Sequence, residues 1–294
     1  MTMYLLMATR RVREGHHDAI GVRELSIDEF ERLNTALSLA GLFNESLTLY
    51  EICQANAKDI EDFHDQVINT TGLNFASSHN MVVELNRLLL NYLSSFRTFV
   101  DHQETQLSKI STTEDNWISH FKTRCSEVYD SSFSYRFLWN LRNYVQHCGL
   151  PVGGVNIRTK NKAEGTEESE VSVYFKRDQL LENYKGWKKI VRTELAQQAE
   201  RIAIFEHITN LRTCIDELAM TALEVHIHRL SEHWEFLVGV FNEVMAQYEG
   251  YVPVIGHFEK AENDIQPQKL SHLSVPLILK IQETWEKFND EYNT

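Results

Sequence analysis

The feature that most constrains the fold is a long run of regularly spaced apolar residues between positions 77 and 110. Its members recur at alternating steps of three and four, the spacing that lines one face of an α-helix; they are Val82, Leu85, Leu89, Tyr92, Phe96 and Phe99. A helix of this length needs partners to cover its apolar face, because tertiary packing supplies most helical stability. The sequence therefore predicts a mainly α protein built around a helical bundle.

Further helical segments follow from the same periodicity, and only four prolines interrupt the chain. We predict two short helices at 26–41 and 45–66, the first opened by a capping box of Ser26 and Glu29. A helix from about 115 to 128 and the segment ending near 147 form a helical hairpin. Beyond 178 we predict additional long C-terminal helices, one from about 206 to 248, and a last helix at 274–290.

Two stretches of alternating residues, 152–160 and 170–177, predict strands instead. The polar segment NKAEGTEES between them suits the loop of a projecting β-hairpin inserted after the helical hairpin, near 152–177. We expect three parts: an N-terminal helical segment (1–76), a helical domain carrying the hairpin (77–250), and a C-terminal loop, including GYVPVIGHFEK, with a helix (251–294).

Composition excludes several classes of protein. A formal charge of −13 over 294 residues argues against non-specific coating of nucleic acid, which requires many Lys and Arg side chains. The four cysteines, at positions 53, 125, 148 and 214, lack the spacing of a zinc knuckle or a disulfide framework, so reduced thiols are expected. The N-terminal basic residues follow a short apolar run, the reverse of a signal peptide, and no segment approaches membrane-spanning length. These features predict a cytoplasmic protein with no membrane partner.

The motifs of several enzyme classes are missing. The sequence has no glycine-rich phosphate loop, HExxH, GxSxG or DxDxG pattern. His226, His228 and His233 lie close together in VHIHRLSEHWE, but helical residues two apart face away from each other. A solvated helix face is the preferred interpretation of this cluster over a metal site, and no metal or other cofactor is predicted.

The segment SYRFLWNLRNYVQHCGLP carries the most informative polar residues. Arg136, Asn140, Asn143 and His147 follow at steps of four, three and four, so they share one stripe of a helix. Leu138, Leu141, Val145 and Cys148 occupy the opposite side. The polar stripe lacks Glu, Asp and Lys, which a solvated face normally includes. Arg, Asn and His are groups suited to a phosphodiester, because guanidinium binds phosphate oxygens and imidazole transfers protons near neutral pH.

A structural explanation of the same residues stays open. A cationic His in the last turn of a helix interacts favourably with the carbonyl end of the helix dipole. Gly149 suits the residue after the helix, and Pro151 prevents its continuation. On this interpretation His147 contributes only stability.

The residues Arg142-Asn143-Tyr144-Val145-Gln146-His147 resemble the R-N-x-x-x-H motif of the higher eukaryotes and prokaryotes nucleotide-binding (HEPN) superfamily. The resemblance covers about residues 78–150. It implies an all-helical, HEPN-like fold that dimerises through the motif helices. It further implies a metal-independent endoribonuclease of the kind found in phage defence, toxin and RNA-processing systems, with a possible inhibitor or antitoxin protein as partner.

In the mechanism that this resemblance implies, Arg142, Asn143 and His147 are catalytic. A base removes the proton of a ribose 2′-OH, the oxygen attacks the adjacent phosphorus, and an acid protonates the departing 5′-oxygen. Two copies of His147 in a homodimer supply the acid and the base, while Arg142 stabilises the added charge and Asn143 orients the imidazole or the phosphate. The helical stripe adds Arg136 and Asn140 as candidate phosphate or RNA ligands. Arg142 lies about 130° from that stripe, so it must reach around the helix or act across the dimer.

The sequence also contains a second candidate motif, a basic run and a net charge that favours other functions. Arg97 and His102 form a second R-x4-H pair on the long helix and are a lower-ranked candidate. Residues 176–192 hold six basic and two acidic residues, which is either an RNA-binding run or a solvated helix face. The acidic net charge favours an alternative function, a non-catalytic HEPN-like dimer that binds a nucleotide or a protein partner; an unrelated helical interaction protein is the third possibility.

Overall fold

A computed structural model describes residues 2–13, 16–68, 75–111, 116–161, 167–261 and 264–292. Within this part of the chain the protein is mostly helical, with two antiparallel sheets. The elements in chain order are β1 (Thr2–Arg13), β2 (His16–Leu25), α1 (Ile27–Ile68), α2 (Phe75–Ile110), α3 (Trp117–Ser131), α4 (Phe133–His147), β3 (Val152–Asn161), β4 (Glu167–Lys176), α5 (Arg177–Asn183), α6 (Lys189–Gln197), β5 (Arg201–Ala203), α7 (Ile204–Gln247), β6 (Val252–Ala261), β7 (Asp264–His272) and α8 (Val275–Tyr292).

The chain divides into two compact units, and the predicted boundaries after 76 and 250 are not those of the structure. The first unit comprises Met1–Glu45 and Leu223–Thr294, and the second comprises Ser46–Ala222. Both boundaries fall inside long helices, α1 and α7. A continuous helix carries no loop or composition shift at such a boundary, so the sequence offered no signal for it.

The first unit contains a four-stranded sheet that the sequence did not predict. Its strand order is β2-β1-β6-β7, with all neighbours antiparallel. The predicted N-terminal helical segment therefore begins with a β-hairpin, and the predicted loop GYVPVIGHFEK is mostly strand β6. Leu6 and Ile255 face each other across β1 and β6 and belong to a core that also includes Leu33 and Leu237 from the helices.

Helix α1 is one element where two short helices were predicted. The Ser26–Glu29 capping box is confirmed: the backbone N–H of Glu29 donates to Ser26 Oγ at 3.1 Å, and that of Ser26 donates to Glu29 Oε2 at 3.0 Å. Gly41 and the polar residues around Glu45 do not end the helix. Buried Ala40, Phe43 and Leu47 keep the helical spacing through this region, which explains why the helix continues.

The second unit holds the segment resembling a HEPN motif. Helix α2 spans the predicted range, and Leu85, Leu89, Tyr92, Phe96 and Phe99 are fully buried as the periodicity required. It packs against α3, α4 and β3. The predicted hairpin is confirmed as β3 and β4, which form a three-stranded sheet with the unpredicted short strand β5. The loop residues 162–166 of NKAEGTEES lie outside the described residues.

No helix in the described ranges combines the length and the apolarity needed to cross a membrane.

Candidate functional site

Helix α4 carries all five predicted site residues and is defined by clear end signals. Its N-cap Ser132 accepts a hydrogen bond from the backbone N–H of Tyr135 at 3.2 Å. At its other end, the N–H of Cys148 donates to the carbonyl of Tyr144 at 2.8 Å. Gly149 then adopts a φ of 152°, a backbone conformation that favours glycine. The helix consequently ends at His147, as the sequence indicated.

Arg136 is a structural residue, which corrects its assignment as a phosphate ligand. Only 4% of its surface is exposed. Its guanidinium donates two hydrogen bonds to the carboxylate of Glu194 on α6, at 2.6 and 3.1 Å. It also donates to the carbonyls of Tyr129 and Asp130, the latter at 2.7 Å, near the carbonyl end of α3. Arg136 thus joins α3, α4 and α6, and each of its three guanidinium nitrogens donates a hydrogen bond within the chain.

Asn140 is likewise part of the interior, so its assignment as an RNA ligand is also corrected. Its side-chain amide donates to the carbonyl of Arg136 at 2.8 Å, one helical turn earlier, and 2% of the residue is exposed. The predicted polar stripe therefore passes from the core into solvent along α4. The two residues nearest its start are buried, whereas Asn143 is half-buried and His147 is exposed.

Arg142, Asn143 and His147 differ from these neighbours in their contacts. No side chain of the three makes a hydrogen bond or an ion pair with a residue that the structure describes, and the Nε atom of Arg142 is buried without a hydrogen-bond partner there. Several other arginines of this unit are engaged, among them Arg97 with Asp101 at 2.8 Å and Arg124 with Glu127 at 2.9 Å. In a chain with 42 acidic residues, an arginine without a carboxylate partner leaves its charge available for an external anion.

The two motif ends do not converge within one copy of the chain. Residues five apart on an α-helix point about 140° away from each other, so Arg142 and His147 lie on different sides of α4. A site that uses both requires either a second copy of the helix or a bound molecule that curls around its end.

The lower-ranked pair on α2 is not a free site. The Nε atom of Arg97 donates to Asp101 at 2.8 Å, and its guanidinium carbon lies 3.7 Å from the centroid of the Trp139 ring. This cation–π contact fixes α2 against α4. His102 is exposed and one turn further along.

A cleft that the sequence did not predict lies beside the face of α4 that carries Tyr135 and Trp139. It has a volume of about 490 Å³ and is lined by aromatic rings from two helices. We call it the aromatic cleft, after Tyr129 of α3 and Tyr135 and Trp139 of α4. Lys122 and Lys188 supply positive charge, and Glu104 and Asp130 supply negative charge. The only sequence signal was the spacing of Tyr135 and Trp139, which is equally typical of core residues.

Two other clusters with possible chemistry are structural. Ser134 Oγ lies 2.8 Å from Nδ1 of His207, but both residues are buried, and burial lowers the pKa of His207. A serine that substrate cannot reach does not act as a nucleophile.

The histidine cluster on α7 is also partly buried: His226 is 2% exposed, and its ring meets that of Phe43 edge to face. The solvated-face interpretation therefore fails for His226, and the described part of the chain contains no group of three possible metal ligands.

Comparison with known proteins does not extend these observations: no family model, no curated protein and no solved structure matches the chain.

Proposed function

We propose that the protein is a metal-independent endoribonuclease of the HEPN type whose active site forms at the end of α4 in a homodimer. One observation carries the proposal: of the five candidate residues on α4, Arg142, Asn143 and His147 are the three whose side chains no described residue engages by a hydrogen bond or an ion pair. The other two candidates on α4, Arg136 and Asn140, are instead engaged by groups of the chain itself.

The chemistry follows from the properties of these three groups. Neutral imidazole of one His147 removes the proton from a ribose 2′-OH, and the freed oxygen bonds to the adjacent phosphorus. The bond to the 5′-oxygen breaks, and the imidazolium of the second His147 gives that oxygen a proton. The guanidinium of Arg142 stabilises the extra negative charge on the phosphorus oxygens. The products are a 2′,3′-cyclic phosphate and a 5′-hydroxyl, and the reaction consumes no water and requires no metal.

The homodimer is part of the proposal because one copy of α4 is incomplete. A single His147 cannot be base and acid at once for the same phosphate, and it points away from Arg142 of its own helix. A two-fold axis through the ends of two α4 helices supplies two of each group. A cytoplasmic location is proposed with it, since cellular RNA is found there and the four cysteines are free thiols.

The test compares cleavage with stability. Purified protein in EDTA should cleave single-stranded RNA and leave cyclic phosphate ends. His147→Ala and Arg142→Ala should abolish cleavage while the melting temperature stays near that of the wild type. Joint loss of stability and cleavage in both variants would instead support the helix-capping role. In cells, induced wild-type protein should slow growth and His147→Ala should not, as a toxin or defence nuclease requires.

The non-catalytic dimer is kept as a second candidate because of the charge. At −13, the chain repels RNA at long range more than a general ribonuclease would. RNA or nucleotide binding that depends on Arg142, without cleavage under any tested condition, would favour this alternative.

A further inference from the structure

We propose that the aromatic cleft is a subsite that holds one unpaired nucleobase of the RNA strand presented to α4. This inference rests on the proposed function for the identity of the ligand. It rests on separate residues for its physical basis, since none of the cleft residues belongs to the Arg142–His147 motif.

The size and lining of the cleft suit a planar ring. A volume of about 490 Å³ accommodates a nucleotide, and binding sites for small molecules combine apolar or aromatic walls with a few polar groups. Tyr135 and Trp139 stack with their ring centroids 5.7 Å apart, and Tyr129 meets Tyr135 edge to face at 6.3 Å. These contacts fix the rings in place before a ligand arrives, so little order is lost on binding.

Two cations lie against the Tyr129 ring: the guanidinium carbon of buried Arg136 is 5.9 Å from its centroid, and the ammonium of exposed Lys188 is the one that a base can replace. The ammonium of Lys188 lies 4.8 Å from the centre of this ring, and Lys188 is an exposed, flexible side chain. A nucleobase that stacks on Tyr129 displaces the ammonium, which then neutralises the phosphate of the same nucleotide. Every base has an aromatic face, so stacking of this kind tolerates different sequences.

The charged groups at the rim match the edges of a nucleotide. Lys122 and Lys188 provide cations for phosphate oxygens. Glu104 lies 3.7 Å from the Lys122 ammonium, and Asp130 lines the cleft as well. Their carboxylates accept hydrogen bonds from the N–H groups of a base. Burial raises the pKa of the Cys125 thiol in the wall to about 12, so this thiol adds no charge to the cleft.

The position of the cleft on α4 links it to the motif. Tyr135, Trp139 and Arg142 follow at steps of four and three, so they lie along one face of the helix. The rise from Tyr135 to Arg142 is about 10 Å. A base in the cleft therefore belongs to the nucleotide whose phosphate reaches Arg142, or to the next one. Only an unpaired base can enter, because paired bases stay stacked inside a duplex.

The experiment uses the full-length protein and a fluorescent single-stranded octamer of 2′-O-methyl RNA, whose anisotropy reports binding. This probe has no 2′-OH and cannot be cleaved by the proposed reaction, so binding is measured apart from catalysis. Tyr129→Leu should weaken binding by about 5- to 150-fold, the range for loss of one stacked base. Tyr129→Phe keeps the ring and should bind within about twofold of the wild type.

A second pair of variants tests the positive charge at the cleft, with Lys189→Gln as the control for Lys188→Gln. Lys188→Gln should weaken binding several-fold at low salt. Lys189→Gln removes the same charge from an exposed lysine that does not line the cleft, and should leave binding nearly unchanged. Because Lys188 is exposed, this pair tests the subsite even if Tyr129→Leu fails to fold.

The outcomes separate the subsite from the proposed function. The subsite is overturned if the octamer does not bind, if Tyr129→Leu or Lys188→Gln binds like the wild type, or if the octamer annealed to its complement binds equally well. Cleavage of unmodified RNA that depends on His147, together with any of those results, leaves the nuclease in place without this subsite. Octamer binding that depends on Tyr129, with no cleavage of unmodified RNA, supports the subsite and removes the nuclease.

Discussion

Arg136 and Arg142 lie six residues apart on α4, and their surroundings give them different roles. The guanidinium of Arg136 is paired with Glu194 and two backbone carbonyls, whereas Arg142 has no such partner among the described residues. Arg136→Ala leaves Glu194 and the carbonyls of α3 without their donor. We expect the free energy of unfolding to fall by about 3 kcal/mol, the lower end of the range for breaking a buried pair, because the Glu194 side chain is 29% exposed. Urea unfolding followed by circular dichroism measures it.

The control for Arg136→Ala is Arg87→Ala, which removes an exposed ion pair with Glu84. Exposed pairs contribute little, so this variant should unfold close to the wild-type midpoint. A stable Arg136→Ala protein that no longer cleaves RNA would contradict the structural role and restore Arg136 as a phosphate ligand.

Because His226 is buried, we expect the stability of the first unit to depend on pH. Burial lowers its pKa from 6.5 to about 4, so the unfolded chain binds this proton more readily than the folded one. Burying the neutral imidazole of His226 costs no stability above about pH 6.5. As the pH falls from 6.5 towards 4, the unfolded chain takes up this proton first, and the free energy of unfolding decreases. By pH 5 the loss is about 2 kcal/mol, measured by urea unfolding at pH 7.5 and pH 5.

His226→Leu separates this residue from the others. The variant should lose most of the change between pH 7.5 and pH 5, and the remainder belongs partly to His207, whose pKa burial also lowers. An unchanged pH dependence in His226→Leu would show that another group is responsible.

At the scale of elements, one glycine in β3 allows the strand to pack closely against β4. The pairing of β3 with β4 shifts between Val152 and Gly154, so Gly153 occupies an irregular position. A Cβ added at Gly153 would lie 2.8 Å from the backbone nitrogen of Lys176 on β4. Gly153→Ala should therefore force the strands apart and lower stability by about 1–3 kcal/mol, the usual cost of overpacking. Thermal unfolding by circular dichroism is the measurement.

Gly41→Ala is the control, because it adds the same methyl group at a position where no neighbour is close. Gly41 is exposed within α1, and an added Cβ has no neighbour within 4 Å. Alanine is favoured over glycine in a helix by about 0.5–1 kcal/mol, so this variant should gain stability. If both substitutions shift the unfolding temperature in the same direction, close contact with β4 is not what requires Gly153.

At the scale of the whole molecule, the proposed dimer brings the ends of two α4 helices together. Cys148 follows His147 directly and is the exposed member of the four cysteines. A short bismaleimide should therefore join two copies through Cys148 and produce a covalent dimer on a denaturing gel. Cys148→Ser should remain monomeric on the gel, while sedimentation should still detect its non-covalent dimer.

Two results would contradict that assembly. A monomer in sedimentation at micromolar concentration that still cleaves RNA would show that one copy is sufficient. A dimer that bismaleimide cannot join would place its interface away from α4 and remove the argument for a shared acid and base.

The sequence by itself determined what depends on neighbours a few residues away. Helical spacing gave α2 and its buried face, Ser26 and Glu29 gave the start of α1, and strand alternation gave the β3–β4 hairpin. It also located the end of α4, because the residue after His147 and the glycine beyond it act through local backbone geometry.

Only the tertiary structure decided which polar residues are available to a ligand. Arg136 and Arg142 look equally suitable in the sequence, but the carboxylate that binds Arg136 is 58 positions away. Strand β6 pairs with β1 from the opposite end of the chain, and Pro253 within it weakens any local prediction of a strand. The spacing of apolar residues indicates which side of a helix or strand is apolar. The identity of the partner across a long loop is set by packing, which no short pattern encodes.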